Sequence, residues 1–214
     1  QGKKLRNQVR YMYNKSPMYR EKLDQAGLQP DDIQTVEDLR KLPFTEKHEI
    51  RKSQENKTDF GKHQCADSID VVRVHSSSGT TGKPTYVGVT DHDKEVWTDI
   101  VARVYYTAGI RRHHKVLFGM GLTFFVGGLP LKDGIEKLGA TFIPIGTGAS
   151  ERLVNTAQHL RPEVLLCTPS YANYLADYVR SLGMDPKDLG FEMIGVGGEP
   201  GGGLPEVRAK IEKD

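Results

Sequence analysis

The chain has 214 residues, 37% of them hydrophobic and 27% charged, and its 30 basic against 28 acidic side chains leave a formal net charge of +2. That balance gives no electrostatic footprint for nucleic acid or for an anionic membrane surface, and no apolar run approaches the ~20 residues that span a bilayer. Its two cysteines, Cys65 and Cys167, are too few for a disulfide framework and lack metal-ligand spacing, which fits a reducing, cytoplasmic setting.

Taken in chain order, residues 1–68 read as a helical segment with a connector. Leu5, Val9, Met12 and Tyr13 keep a helical spacing, followed by helices over 19–26 and 36–42. Turns fall at Ser16-Pro17 and Gln29-Pro30-Asp31-Asp32, and the polar stretch 53–68 reads as an exposed connector. From residue 69 to 214 the pattern alternates. Strands are predicted over 70–75, 85–90, 115–120, 140–145, 163–167 and 191–196, with helices near 91–108, 128–138, 150–160 and 170–182. In the first of these helices Val96, Trp97, Ile100, Val101, Val104 and Tyr105 form an apolar stripe expected to face the core, with Asp91 as N-cap and Gly109 as stop. The fold class expected is α/β, a mostly parallel sheet flanked by helices and preceded by an N-terminal helical segment. The ends, Gln1 and a helical pattern still running at Leu204–Ile211, read as part of a longer protein.

The most informative run is Ser76-Ser77-Ser78-Gly79-Thr80-Thr81-Gly82-Lys83-Pro84-Thr85. Glycines allow backbone N–H groups to turn inward, hydroxyls donate, and Lys83 supplies charge, so the run suits a loop wrapped around an anion. A flexible Ser/Gly linker is the plain alternative, but the β-like runs on both sides argue against it. The Walker A pattern fails at both ends, because Ser77 stands where its first glycine belongs and Pro84 where its magnesium-binding hydroxyl belongs. A second glycine-rich run, Gly195-Val196-Gly197-Gly198-Glu199-Pro200-Gly201-Gly202-Gly203, follows a strand and would let a flat ligand lie against bare backbone. His75 and Tyr171 stand near predicted strand ends; a satisfied histidine is the simpler reading of the first.

The order Ser77 to Pro84 resembles the phosphate-binding signature of the adenylate-forming superfamily. Three further stretches narrow the resemblance to phenylacetate–CoA ligase and its relatives: Tyr19-Arg20-Glu21-Lys22 with Leu42-Pro43-Phe44-Thr45, Cys167-Thr168-Pro169-Ser170-Tyr171, and Gly197-Gly198-Glu199-Pro200. The likeness runs collinearly along essentially the whole chain. It implies the N-terminal part of an ATP-dependent acid–thiol ligase that activates an aryl or acyl carboxylate as its adenylate and transfers it to CoA. Ser77, Ser78, Gly79, Thr80, Thr81, Gly82 and Lys83 would hold the ATP phosphates, and Gly198, Glu199 and Pro200 would line the adenine. Met120, Leu122, Phe124, Phe125, Gly127 and Gly128 would wall the acyl or aryl pocket, residues 69–214 forming the nucleotide-binding portion of the large domain. The family usually has tyrosines at the positions of Met120 and Leu122, so the pocket here is more aliphatic, and it often has a bulky residue in place of Gly201, which alters the local packing beside the adenine segment.

The resemblance names a carboxylic acid, ATP and CoA as small-molecule partners, with no nucleic acid and no membrane, and leaves a homodimer open. Mg2+ would accompany ATP, but the family's magnesium-binding Glu, ribose-binding Asp and lid Lys are not found here. No catalytic residue and no metal ligand are therefore expected in this chain, and by itself it should be inactive. The rival reading is a non-catalytic nucleotide- or acyl-binding module.

Overall fold

A computed structural model describes residues 1–55, 59–77 and 84–214, which form two compact units, 1–93 and 94–214. In the first, α1 (Gly2–Lys15) and α2 (Pro17–Gln25) are separated by Ser16. Ser16 is fully buried; its hydroxyl accepts from the Tyr19 N–H at 3.3 Å and donates to the Lys62 carbonyl at 2.7 Å. A serine N-cap followed by proline starts α2 without a wasted donor. Val9, Leu23 and Ile33 make a small core, with Leu5, Tyr13, Leu28 and Leu42 packed against it. The segment expected as a helix over 36–42 is a 3-10 helix, Val36–Lys41, whose start is held by Asp38 accepting from the Gln34 and Thr35 N–H groups.

Another helix, α3 (Lys47–Gln54), was not expected. It carries one large apolar side chain, Ile50, so periodicity is silent; only the Glu46–Glu49 capping box marks its start. Its last residue, Gln54, uses its side-chain amide to bond both the N–H and the C=O of Tyr86, at 3.3 and 2.9 Å.

That tyrosine opens β2 (Tyr86–Thr90), which pairs antiparallel with β1 (Val71–Ser76) in a separate two-stranded sheet. Both strands were expected to feed the parallel sheet. The correction has a simple cause: a parallel return needs a crossover of a dozen or more residues, and the connection 77–85 is too short.

The second unit holds the parallel sheet. β3 (Lys115–Phe118), β4 (Thr141–Pro144), β5 (Val164–Cys167) and β6 (Met193–Val196) pair in the order β4-β3-β5-β6, every pair parallel. Strand alternation sends Val116, Phe118, Val164 and Leu166 to one face, where they pack with Ile110, Ile135 and Ala140. Leu117, Leu165 and Cys167 point to the other, against Leu153, Val154 and Ala157 of α6 (Ser150–Leu160) and Ala172, Leu175 and Val179 of α7 (Pro169–Ser181). Every residue of β5 is buried, as expected for a central parallel strand covered on both faces.

The first face is covered by α5 (Leu129–Leu138), with α4 (Asp91–Thr107) against it. At Gly134 of α5 an added Cβ would lie 2.3 Å from Val101 Cγ1 of α4, so glycine sets how closely the two helices approach. Of the predicted α4 stripe only part faces inward. Val101 is buried and Tyr105 packs on the core, whereas Val96, Ile100 and Val104 are 46%, 53% and 58% exposed. The stripe was drawn too wide, because positions 96, 100 and 104 lie on a line adjacent to 97, 101 and 105. The last helix, α8 (Pro205–Lys213), follows β6.

Candidate functional site

In an open parallel sheet the loops beyond the carboxyl ends of the strands form the ligand-facing edge. In the second unit three such loops carry predicted site residues or their neighbours. The β3 loop, 119–128, begins with the Gly119 N–H donating to the Leu166 carbonyl at 2.8 Å, which extends the ladder one residue beyond β3. Met120 packs against the core below, while Leu122, Phe124 and Phe125 are 38%, 50% and 45% exposed. Half the proposed pocket wall thus presents apolar surface, and Met120 supports it from behind. Gly127 and Gly128 close the loop; an added Cβ on Gly128 would sit 2.6 Å from the Gly121 carbonyl oxygen, a backbone-to-backbone approach that only glycine permits.

Thr168 follows β5 as the N-cap of α7, its hydroxyl accepting from the Tyr171 N–H at 3.3 Å. The Tyr171 hydroxyl lies 3.1 Å from Ser150 Oγ at the start of α6, and burial raises its pKa. After β6 the Gly197 N–H bonds the Cys167 carbonyl at 3.1 Å, and Gly198 turns the chain at φ +86°. Glu199 Oε1 then accepts from the Ser170 N–H at 2.6 Å. The Ser170 hydroxyl and N–H hold the Glu199 carboxyl below the usual range, so it is charged at neutral pH. Burial, with the Glu199 charge adding, pushes the Cys167 thiol up to about 12.

The sheet therefore brings 120–128 and 198–200 to one edge, on strands separated by β5, roughly 10 Å apart. Ser77 belongs to the first unit. Its N–H bonds the Thr85 carbonyl at 3.0 Å, and its hydroxyl accepts from the Thr85 N–H at 3.1 Å and from the Thr85 hydroxyl at 2.9 Å. These bonds close the mouth of the loop joining β1 to β2. Ser78, Gly79, Thr80, Thr81, Gly82 and Lys83 lie outside the described residues. His75 is buried in β1. Sequence reasoning missed that Glu199 is spoken for by a backbone donor on α7; nothing in a glycine-rich run announces a partner 29 residues away.

No family model matches the chain. It is 42% identical over 200 residues to the phenylacetate-coenzyme A ligase of Thermus thermophilus, a match covering 94% of this chain and 44% of that protein. It is 38% identical over 214 residues to the phenylacetate-coenzyme A ligase of Escherichia coli, covering 100% of this chain and 47% of that protein. Among solved structures it is similar to 2-hydroxyisobutyryl-CoA ligase in complex with 2-HIB-AMP and CoA in an open conformation. There the TM-score is 0.92 and the identity 30%, over 99% of this chain and 46% of that one. A long-chain-fatty-acid-CoA ligase from Archaeoglobus fulgidus, 18% identical with a TM-score of 0.54, shares the fold alone. The chain thus spans a little under half the length of the relatives it matches, and over nearly all of its own length it is similar in sequence and fold to CoA ligases.

Proposed function

We propose that this chain is the N-terminal part of an ATP-dependent carboxylate–CoA ligase acting on an aryl or acyl acid. The observation that carries the reading is the hydroxyl- and glycine-rich run Ser76–Lys83, standing in a chain similar throughout to CoA ligases. In the first half-reaction a carboxylate oxygen of the acid attacks the α-phosphorus of ATP, and pyrophosphate leaves with the bonding pair. In the second the CoA sulfur attacks the acyl carbon, giving up its proton, and AMP leaves.

Ser77, Ser78, Gly79, Thr80, Thr81, Gly82 and Lys83 hold the β- and γ-phosphates in this scheme, their donors preorganised for the departing pyrophosphate. Leu122, Phe124 and Phe125 give the acid an apolar wall and exclude water from the mixed anhydride. The backbone of Gly198, Glu199 and Pro200 backs the adenine. Mg2+, when bound, would neutralise phosphate charge, and we assign its protein ligand to the family's magnesium-binding Glu segment, which is not found in these 214 residues. No helix among the described residues is long and apolar enough to cross a membrane, and we place the enzyme in the cytoplasm, as one chain or as a homodimer.

Acid-dependent pyrophosphate–ATP exchange by the complete polypeptide containing this chain tests the proposal, with phenylacetate and 2-hydroxyisobutyrate as the first acids. Lys83→Ala or Thr81→Val should each lower exchange roughly 10²–10³-fold while stability stays within ~0.5 kcal/mol of wild type. The 214-residue chain by itself should turn over no acid. Nucleotide binding by the complete polypeptide without exchange for any acid would instead identify a binding module.

A further inference from the structure

The resemblance puts Glu199 in the adenine wall, but its carboxylate already has a different neighbour. Pro169, the first residue of α7, has no N–H, so the Ser170 N–H is the first unsatisfied donor of that helix. Glu199 Oε1 takes it at 2.6 Å, and the Thr168 hydroxyl takes the next, from Tyr171, at 3.3 Å. Thr168 is a local cap. Glu199 arrives from the loop after β6, and two features let it reach back. The Gly197 N–H fastens that loop to the Cys167 carbonyl at 3.1 Å. Gly198 then reverses the chain at φ +86°, passing close enough to Thr168 that an added Cβ would stand 3.6 Å from its methyl group. A carboxylate at a helix N-terminus gains both a charge-assisted hydrogen bond and the favourable end of the helix dipole.

We propose that Glu199 is a positioning residue: its carboxylate acts through the Ser170 amide to hold the 197–200 backbone at the sheet edge where a purine ring would stack, and it makes no contact of its own with the base. The nucleotide part of this inference rests on the CoA-ligase reading; the tether between the β6 loop and α7 does not. The loop and the helix start are then one unit, and a change in either should shift nucleotide affinity rather than the chemical step.

Two measurements decide it. The first is hydrogen exchange of the Ser170 amide in the 214-residue protein, with no nucleotide present. Glu199→Ala should speed that exchange about 10-fold, the scale of a lost cap, while Glu199→Gln, whose amide oxygen can accept the same bond without the charge, should fall between wild type and Glu199→Ala. Unchanged exchange in Glu199→Ala overturns the tether.

The second is pyrophosphate exchange by the complete polypeptide, with ATP and with inosine triphosphate, which carries an oxygen where adenine has its amino group. Glu199→Ala should raise the ATP KM about 10-fold with kcat little changed, Glu199→Gln should restore it in part, and the preference for ATP over inosine triphosphate should be the same in all three proteins. If that preference collapses in either variant, or if Glu199→Gln is as impaired as Glu199→Ala, Glu199 contacts the base directly and the proposal fails. If the wild type shows no acid-dependent exchange, the ligase reading and the nucleotide role fall together, and Ser170 exchange still decides the tether. Because Glu199 is exposed, both variants should fold; matched melting curves verify this.

Discussion

Single hydroxyls and carboxylates here do their work by meeting backbone groups. Ser16 is the strongest case, because it is fully buried and satisfies one donor and one acceptor at a helix junction. Ser16→Ala removes the cap and one of the two donors to the Lys62 carbonyl, which keeps the Met18 N–H at 3.2 Å, and chemical denaturation should show a loss of about 0.5–2 kcal/mol. Glu199 gives a pH signature. Its pKa is depressed in the folded protein, so its contribution is fully present above the ordinary glutamate value of about 4.3 and is lost as pH falls through the lower folded value. Protection of the Ser170 amide should therefore hold at neutral pH and decline below about pH 4, once intrinsic exchange is corrected for; protection that rises on acidification would contradict the assignment. The motif made Glu199 conspicuous, but its partner depends on how two distant loops are folded together.

Pattern and packing part company at the level of elements. The alternation of apolar runs placed α5 and α6 within a residue of their observed bounds, since Leu129–Leu138 and Ser150–Leu160 each carry a clear buried line and start and stop signals. Helix α3 escaped because a helix with one large apolar residue has no periodicity to detect. For α4 the helix itself was legible but its inward line was not, since large apolar residues occupy two adjacent lines and only the partner selects one. Ile100→Gln on the outward line should change stability by no more than ~0.5 kcal/mol. Facing the inward line, Gly134→Ala on α5, pushing a methyl against Val101, should cost about 1–3 kcal/mol. Combined with Val101→Ala, that cost should be smaller than the sum of the single changes, which a double-mutant cycle in urea would measure. Equal effects on the two lines would mean α4 is rotated from the position described.

At the scale of the whole molecule, the second unit is organised by one central strand. Leu165 on β5 is buried within the α6–α7 face, and Leu165→Ala should cost about 2–5 kcal/mol and loosen amide protection across β3, β5 and β6. If the loss is below ~1 kcal/mol, the site collapses around the cavity and the core is less tightly packed than described. The sequence by itself determined that a parallel α/β sheet runs through residues 115–196, because strand–helix alternation with short turns leaves few other ways to bury both faces of a strand such as Val164–Cys167. It also determined the chemistry on offer, since a run of hydroxyls and glycines ending in lysine suits an anion wherever it is placed. Only the tertiary structure decided that β1 and β2 pair antiparallel apart from that sheet, that Met120 backs the β3 loop while Leu122, Phe124 and Phe125 face outward, and that Glu199 caps α7. Those outcomes depend on contacts between residues far apart in sequence. Local propensity and periodicity carry no information about such contacts, which are fixed only when the whole chain has packed.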